Sequence, residues 1–365
     1  MSLKHILAAL GLALLTVVLA EVSVGSGPTS AARQHVTRKQ LGINTYVVYD
    51  CQSAAVWSQM ATTQVEAFKG LGANSIAIAF PLYTYSLNSN AFFARDVCNS
   101  EFETPTPTQI AEIVEVAHSQ GLHVFLRPIL QETDLRSEKV GAWRGIIDPT
   151  NTSEWFKNYW NTMLPYLTMA RAYNVEHFAI STELQSMAAK PMWSSLIAKA
   201  RRVYKGDLVF TTNWAPDQDD GVRWAGTSVG VDMYVPLRQL GNTATPSEIV
   251  AGWDSALATT YSFSHISSAT ISEIGILPQD GAYSQPYAWS LPLTMNPFNQ
   301  SIQANWYTAA CTFFRSHNMG GIYFWGQAIY EQGGALLSAP SSSVTTAAEI
   351  QPSSQQAIKA CFSGT

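Results

Sequence analysis

The chain has 365 residues, of which 47% are hydrophobic and 13% charged, and its formal net charge is −5. This composition excludes an intrinsically disordered protein and suffices for one large core or for two domains. The acidic balance also argues against nucleic acid or an anionic membrane surface as a partner.

The first 20 residues have the pattern of a secretion signal. Lys4 precedes an apolar run, Ile6–Leu19, and Val18-Leu19-Ala20 provides a cleavage site of small residues. The run is shorter than a typical membrane span, with an uncleaved anchor as the alternative. Residues 21–38 are rich in Ser, Gly and Thr and are predicted to be a linker. We therefore expect a secreted, monomeric protein with no membrane contact once the signal is removed.

From Leu41 onward, short apolar runs alternate with helical patterns. The predicted strands are Leu41–Tyr49, Ser75–Leu82, His123–Leu130, His177–Ser186, Asp207–Trp214, Ser228–Leu237, Ala269–Gly275 and Gly320–Gly326. The predicted helices are Ala54–Leu71, Thr106–Ser119, Asn151–Asn174, Pro191–Tyr204, Ser247–Tyr261, Gln303–His317 and Gln355–Cys361. Seven of the eight strands are followed by a helix or by a segment long enough for one.

This alternation of strands and helices predicts the fold class. The strands are continuous apolar runs, which is typical of parallel strands buried on both faces. Eight strand–helix units within residues 39–365 predict an α/β protein with a single-domain (β/α)8 TIM barrel. A doubly wound sheet is the rival fold, but it usually has fewer strands, and no GxGxxG motif follows the first strand.

Four cysteines follow the signal: Cys51, Cys98, Cys311 and Cys361. An even number in an exported chain favours two disulfides, for which three pairings exist. We predict that neighbours in sequence pair, Cys51 with Cys98 and Cys311 with Cys361. No two cysteines have the close spacing of metal ligands, and the seven histidines form no HxxxH or HxH cluster. The sequence therefore predicts neither a metal site nor a cofactor.

Two glutamates lie where the polar ends of apolar strands are predicted, Glu183 on the fourth strand and Glu273 on the seventh. A buried carboxylate is costly unless it is paired, neutralised or open to a cleft. In (β/α)8 enzymes the active site lies at the carboxyl ends of the strands, and hydrolysis of a glycosidic bond requires two carboxyl groups. A single such glutamate is often only a salt-bridge partner, but two at the same depth indicate a catalytic pair.

Other polar and aromatic residues at strand ends are predicted to bind substrate. Tyr234 is suited to donate a hydrogen bond that keeps the nucleophile ionised, and Trp325 to form a platform under the sugar ring. Arg127 is interpreted either as a cleft residue or as a buried ion-pair partner, and Asp232 as structural. The predicted substrate-binding residues are Asn44, Tyr46, Arg127, Asn213, Trp214, Tyr234 and Trp325.

Several short motifs occur in the same order as in one known family. They include LGIN (41–44), WRGII (143–147), STEL (181–184), TTNW (211–214), VGVDMYVPL (229–237), ISEIG (271–275) and YFWG (323–326). The chain resembles glycoside hydrolase family 113, whose members are (β/α)8 barrels of the large retaining clan. The resemblance implies that Glu183 is the general acid/base, that Glu273 is the nucleophile and that the substrate is β-1,4-mannan.

Two features depart from the relatives and leave another β-linked glycan open. Arg127-Pro128-Ile129 stands where relatives have a KPH-like segment, and the loops 84–106 and 276–300 have no match. The leading hypothesis is a secreted retaining β-glycoside hydrolase with a polysaccharide or oligosaccharide substrate. The alternatives are a β-glucan-type glycosidase and a non-catalytic carbohydrate-binding barrel. An esterase is disfavoured because it needs a serine or cysteine nucleophile with a histidine base, and His177, which is near Glu183 in sequence, lies at the wrong end of its strand.

Overall fold

The computed structural model describes residues 39–47, 53–96, 103–214, 226–259, 266–288, 291–292, 294–329 and 350–364. The predicted signal (1–20), the predicted linker (21–38) and the predicted Cys51–Cys98 disulfide lie outside the described residues. Among the helices that are described, none has the length and apolar character needed to span a membrane.

Eight parallel strands form a closed barrel in sequence order, and the last strand pairs with the first. The prediction of a (β/α)8 TIM barrel is therefore confirmed. The barrel is closed by β1–β8 pairing, in which Gln40 lies opposite Gly321. The strands are β1 (Gln40–Val47), β2 (Ser75–Leu82), β3 (His123–Leu130), β4 (His177–Thr182), β5 (Asp207–Asn213), β6 (Ser228–Asp232), β7 (Ala269–Ile274) and β8 (Gly321–Ile329).

Most of the described helices lie between strands, and five of the nine begin at a residue whose side chain caps them. Thr106 and Thr245 each form a capping box, with a proline at the start of the helix that follows. The helices are α1 (Ala54–Gly70), α2 (Pro107–Ser119), α3 (Thr133–Glu138), α4 (Thr152–Ala172), α5 (Gln185–Ala188), α6 (Met192–Val203), α7 (Pro246–Leu257), α8 (Gln300–Ser316) and α9 (Pro352–Ser363). Three short 3-10 segments, Arg144–Ile146, Ile266–Ser268 and Ala282–Ser284, lie in the loops.

The interior of the barrel is filled in layers because alternate residues of each strand face inward. The lowest apolar layer takes the third residue of five strands: Ala77, Phe125, Ala179, Val209 and Tyr323. Gly42 gives this layer room, since a Cβ atom at that position would lie 2.2 Å from the Tyr323 ring. Two residues further along the strands the interior becomes polar, and the predicted site residues lie there and above.

A disulfide joins the last helix to the barrel wall. Cys311 of α8 and Cys361 of α9 are bonded, with their Cα atoms 5.6 Å apart. This half of the predicted disulfide pattern is confirmed. The bond attaches α9 directly to the helix that precedes β8.

The predicted sixth strand, Ser228–Leu237, is too long. The strand ends at Asp232, and the apolar residues after it leave the sheet but stay buried. The amide of Met233 donates to the carbonyl of Glu273, and that of Leu237 donates to the carbonyl of Tyr283. This coil is as apolar as a strand because it packs under the loop after β7, so hydrophobicity alone could not show where β6 ends.

Candidate active site

Glu183 follows directly after β4, in a backbone conformation that side-chain-bearing residues rarely adopt. Its φ angle is +52°, and the β4–β5 register shifts between Ala179 and Ser181 just before it. A left-handed conformation at a residue other than glycine costs about 1–3 kcal/mol, and such strain concentrates at functional sites. The amide of Glu183 donates to the carbonyl of Thr211 at 3.2 Å, which holds the turned backbone against β5.

The Glu183 carboxylate receives one hydrogen bond on each oxygen. Asn213 Nδ2 donates to Oε1 at 2.8 Å, and Arg144 Nη1 donates to Oε2 at 2.5 Å. The residue is only 7% exposed. Burial raises the pKa of Glu183 to about 7, with Arg144 opposing the rise and Glu273 adding to it. Glu183 can therefore exchange a proton near neutral pH.

Glu273 lies on β7, beside a register shift between Val231 and Asp232 of the neighbouring strand. Tyr234 Oη donates to its Oε1 at 2.6 Å, and Arg127 Nη1 donates to its Oε2 at 2.7 Å. Burial, followed by the nearby Glu273 charge, raises the pKa of Tyr234 well above its usual value, so the phenol keeps its proton. A carboxylate that accepts from a cation and a phenol is stabilised in its charged form.

Arg127 is a buried ion-pair partner rather than a residue on the surface of the cleft. Its side chain has no exposed area, and its Nη2 donates to both carboxylate oxygens of Asp232 at 2.7 and 2.8 Å. Ser272 Oγ donates to the same carboxylate at 2.7 Å. Burial would lower the pKa of Arg127, but the carboxylates of Asp232 and Glu273 outweigh it and raise that pKa. The guanidinium of Arg127 therefore faces Asp232 and Glu273 and not an open surface, and Asp232 is a buried ion-pair partner.

Arg144 is a site residue that the sequence analysis did not single out. It lies in the loop between β3 and α4, and its Nε donates to the carbonyl of Leu130 at 2.8 Å while Nη2 lies 3.3 Å from Glu132 Oε1. In the sequence, Arg144 appears only within the WRGII motif (143–147). That motif resembles the family but does not indicate a chemical role for the arginine.

Comparison with known proteins identifies the family of this barrel. The profile of glycoside hydrolase family 113 matches residues 47–335. The chain belongs to glycoside hydrolase family 113. The resemblance seen in the sequence is thereby confirmed, and the protein is a glycoside hydrolase.

Solved structures of family 113 and of an endoglucanase share the fold. A family 113 β-1,4-mannanase has a TM-score of 0.69 and 19% identity, covering 89% of this chain and 100% of that chain. The family 113 β-mannanase AaManA from Alicyclobacillus acidocaldarius, in complex with ManMIm, has a TM-score of 0.64 and 19% identity, covering 89% and 97%. A broad-specificity GH5-4 endoglucanase from Clostridum cellulovorans has a TM-score of 0.55 and 11% identity, covering 89% and 95%. No curated protein sequence matches this chain.

Aromatic side chains flank the two glutamates of this family 113 hydrolase. The rings of Tyr46 and Trp325 lie 5.9 Å apart, and Gln131 Nε2 donates to Tyr46 Oη at 3.0 Å. The rings of Trp214 and Tyr287 also lie 5.9 Å apart and are nearly parallel, at 13°. Tyr287 is 46% exposed, and the sequence analysis did not identify it. These pairs offer flat apolar faces of the kind that a sugar ring can stack against.

Asn44 is a buried residue of β1 and does not lie on an exposed surface. It is fully buried, and its Nδ2 donates to the carbonyl of Ser272 at 3.2 Å. It therefore braces the backbone next to Glu273. The described residues contain no group of three or more His, Cys, Asp or Glu side chains arranged to hold a metal ion.

Proposed function

We propose that this glycoside hydrolase is a retaining β-mannanase with Glu183 as general acid/base and Glu273 as nucleophile. The observation that carries the proposal is the contrast between the two carboxyl groups. Burial gives Glu183 a pKa of about 7, whereas Glu273 accepts hydrogen bonds from Arg127 and Tyr234 that favour its ionised form. One protonated acid beside one carboxylate is the pair that a double displacement requires.

In the first step, Glu183 gives its proton to the oxygen of the leaving sugar. The carboxylate of Glu273 attacks the anomeric carbon as the glycosidic bond breaks, forming a covalent glycosyl-enzyme. Arg127 and Tyr234 fix the orientation of the attacking carboxylate, which favours a productive geometry before the reaction begins.

In the second step, Glu183 is a carboxylate and accepts a proton from a water molecule. That water attacks the anomeric carbon and releases Glu273, so the configuration of the sugar is retained. Arg144 and Asn213 stabilise the Glu183 carboxylate between the two steps because each donates to one of its oxygens. Glu183 is thereby ready to act as acid again after the water proton has been taken.

The choice of β-1,4-mannan rests on the family. Both family 113 structures compared above are β-mannanases, and the aromatic pairs Tyr46–Trp325 and Trp214–Tyr287 suit a chain of pyranose rings. A different β-linked glycan would use the same two glutamates and would differ only in the residues that contact the sugars.

We also infer that the protein is exported and acts as a monomer free of the membrane. The basis for export is the signal pattern of residues 1–20, together with the Cys311–Cys361 disulfide. Disulfides persist in oxidising compartments outside the cytoplasm. Mass determination of the protein from the culture medium would test cleavage after Ala20, and light scattering would test the monomer.

The deciding experiment measures reducing-sugar release from mannan, glucomannan, mixed-linkage glucan, xylan and β-1,3-glucan. We expect release from mannan, loss of that release in Glu183→Gln and Glu273→Gln, and full activity in the matched control Glu115→Gln, an exposed residue of α2. NMR of the first-formed product should show the β-anomer. Full activity of either catalytic-site variant would refute the mechanism, and release from another glycan alone would refute the mannan assignment.

A further inference from the structure

We propose that Glu132 is a positioning residue that holds Arg144 in place and limits the effect of its charge on the catalytic acid. The inference rests on the proposed role of Glu183. Glu132 precedes α3, makes no contact with Glu183 and lies behind Arg144 as seen from the carboxyl group of the acid. It would act by holding Arg144 and by its own negative charge, without a hydrogen bond to Glu183.

The contacts of Glu132 form a short chain of charges. Its Oε1 lies 3.3 Å from both Nη2 and the backbone nitrogen of Arg144, and its Oε2 accepts from Arg136 Nη2 at 2.5 Å. The Glu132 side chain is 8% exposed, that of Arg144 15%, and that of Arg136 49%. The sequence of contacts therefore runs from solvent to the active site: Arg136, Glu132, Arg144, Glu183.

The contact between Arg144 and Glu183 opposes the proposed role of Glu183 as a general acid. Arg144 donates to Glu183 at 2.5 Å, and a cation at that distance favours the ionised carboxylate. A general acid must instead carry a proton at the working pH. The Glu132 carboxylate partly offsets the Arg144 charge, so that Arg144 supports the carboxylate formed in the first step without removing the proton needed before it.

Other charged groups also face Glu183 and must be counted. Arg127 from β3 favours its ionised form, whereas Glu273 from β7 and Glu132 favour its protonated form. Replacing Glu132 by glutamine removes one of the two negative charges and leaves both arginines. The proton affinity of Glu183 must then fall.

The test compares the full-length wild type with Glu132→Gln across pH. The quantity compared is the pH profile of kcat/KM for the β-glycan that the wild type cleaves. We expect the alkaline limb of this profile to move by about half a pH unit or more toward lower pH in Glu132→Gln. A second substrate is the 2,4-dinitrophenyl glycoside of the disaccharide unit of that glycan. Its leaving group needs no protonation, so the rate at which it forms the glycosyl-enzyme should change much less. An equal loss at every pH and for both substrates would reveal a purely structural role and overturn the inference.

Two further variants keep the test decisive. Asp134→Asn breaks another ion pair of α3, that with Arg95, and should leave the limb in place. Arg136→Gln removes a half-exposed cation, a change the fold should tolerate, and should move the limb slightly toward higher pH. If Glu132→Gln does not fold, an unchanged or lowered limb in Arg136→Gln overturns the inference.

Failure of the inference and failure of the proposed function give different results. If Glu183→Gln keeps the wild-type limb, then Glu183 is not the acid and the proposed function fails. If Glu183→Gln abolishes turnover of the glycan but Glu132→Gln leaves the limb unchanged, the mechanism stands and only the role of Glu132 is refuted.

Discussion

Tyr234 donates its hydroxyl proton to Oε1 of Glu273 at 2.6 Å, and both residues are at most 9% exposed. The two residues come from neighbouring segments of the barrel, since Tyr234 lies just past the end of β6 and Glu273 on β7. Hydrogen bonds to charged groups contribute about 1.5–3 kcal/mol. This contact is therefore strong enough to fix the orientation of the Glu273 carboxylate, as the proposed nucleophilic role requires.

Replacing Tyr234 by phenylalanine should lower kcat/KM by about 10- to 100-fold, because Glu273, the proposed nucleophile, loses one of its two fixed donors. The matched control is Tyr204→Phe, which removes a buried phenol that donates to the carbonyl of Val175 away from the glutamates. Steady-state kinetics of both variants tests the prediction. If Tyr204→Phe loses as much activity as Tyr234→Phe, the effect comes from packing and not from the contact with Glu273.

Removing Arg127 should destabilise the barrel strongly. In Arg127→Met the carboxylates of Asp232 and Glu273 remain buried without their common cation, which costs about 3–5 kcal/mol in the free energy of unfolding. Denaturation by urea measures this cost. For comparison, Arg95→Met breaks a more exposed pair with Asp134, and the expected cost is below about 1 kcal/mol. Equal costs for the two variants would show that the buried network contributes no more than a surface pair.

The raised pKa of Glu183 predicts a pH dependence of stability. The folded protein binds this proton more tightly than the unfolded chain, so the associated stability is fully present below the ordinary pKa of a glutamate and is lost as pH rises through about 7. Glu183→Gln removes the titrating group. Between pH 4.5 and 8 the Tm of the wild type should therefore fall relative to that of Glu183→Gln. Parallel Tm curves would mean that folding leaves the pKa of Glu183 unchanged.

Trp214 and Tyr287 should contribute to binding of long substrates. Replacing either by alanine removes a stacking face, and we expect KM for the polysaccharide to rise by about 2- to 10-fold with little change in kcat. The control is Tyr85→Ala, an exposed tyrosine on the loop after β2 whose ring packs against Phe93. Kinetics on the polymer and on a disaccharide glycoside would separate the effects. A fall in kcat with unchanged KM would argue against a binding role.

The sequence was most informative where a residue's surroundings lie on its own strand. Glu183 and Glu273 stood out because a carboxylate at the end of an apolar strand requires a reason, and the strand pattern placed both at one end of the barrel. The same pattern carried the prediction of β6 five residues too far, since Met233–Leu237 is apolar and buried without being a strand.

The sequence was least informative where a contact joins distant segments. Arg144 is on a loop with no periodicity, and its link to Glu183 depends on how that loop folds over the barrel end. Arg127 left two interpretations open because its partners, Asp232 and Glu273, are 105 and 146 residues away. Only the closed barrel decides which buried charges meet.

The pairing of β1 with β8 also determines when, during synthesis of the chain, the barrel can close. A nascent chain that extends only through α8 already contains Glu183 and Glu273 but lacks Trp325 and the strand that completes the ring. Asn44, near the start of the chain, reaches the carbonyl of Ser272 across a separation of 228 residues. Contacts of such long range form late in folding. The ring of strands around Glu183 and Glu273 therefore cannot close until β8, the last of the described strands, has been synthesised.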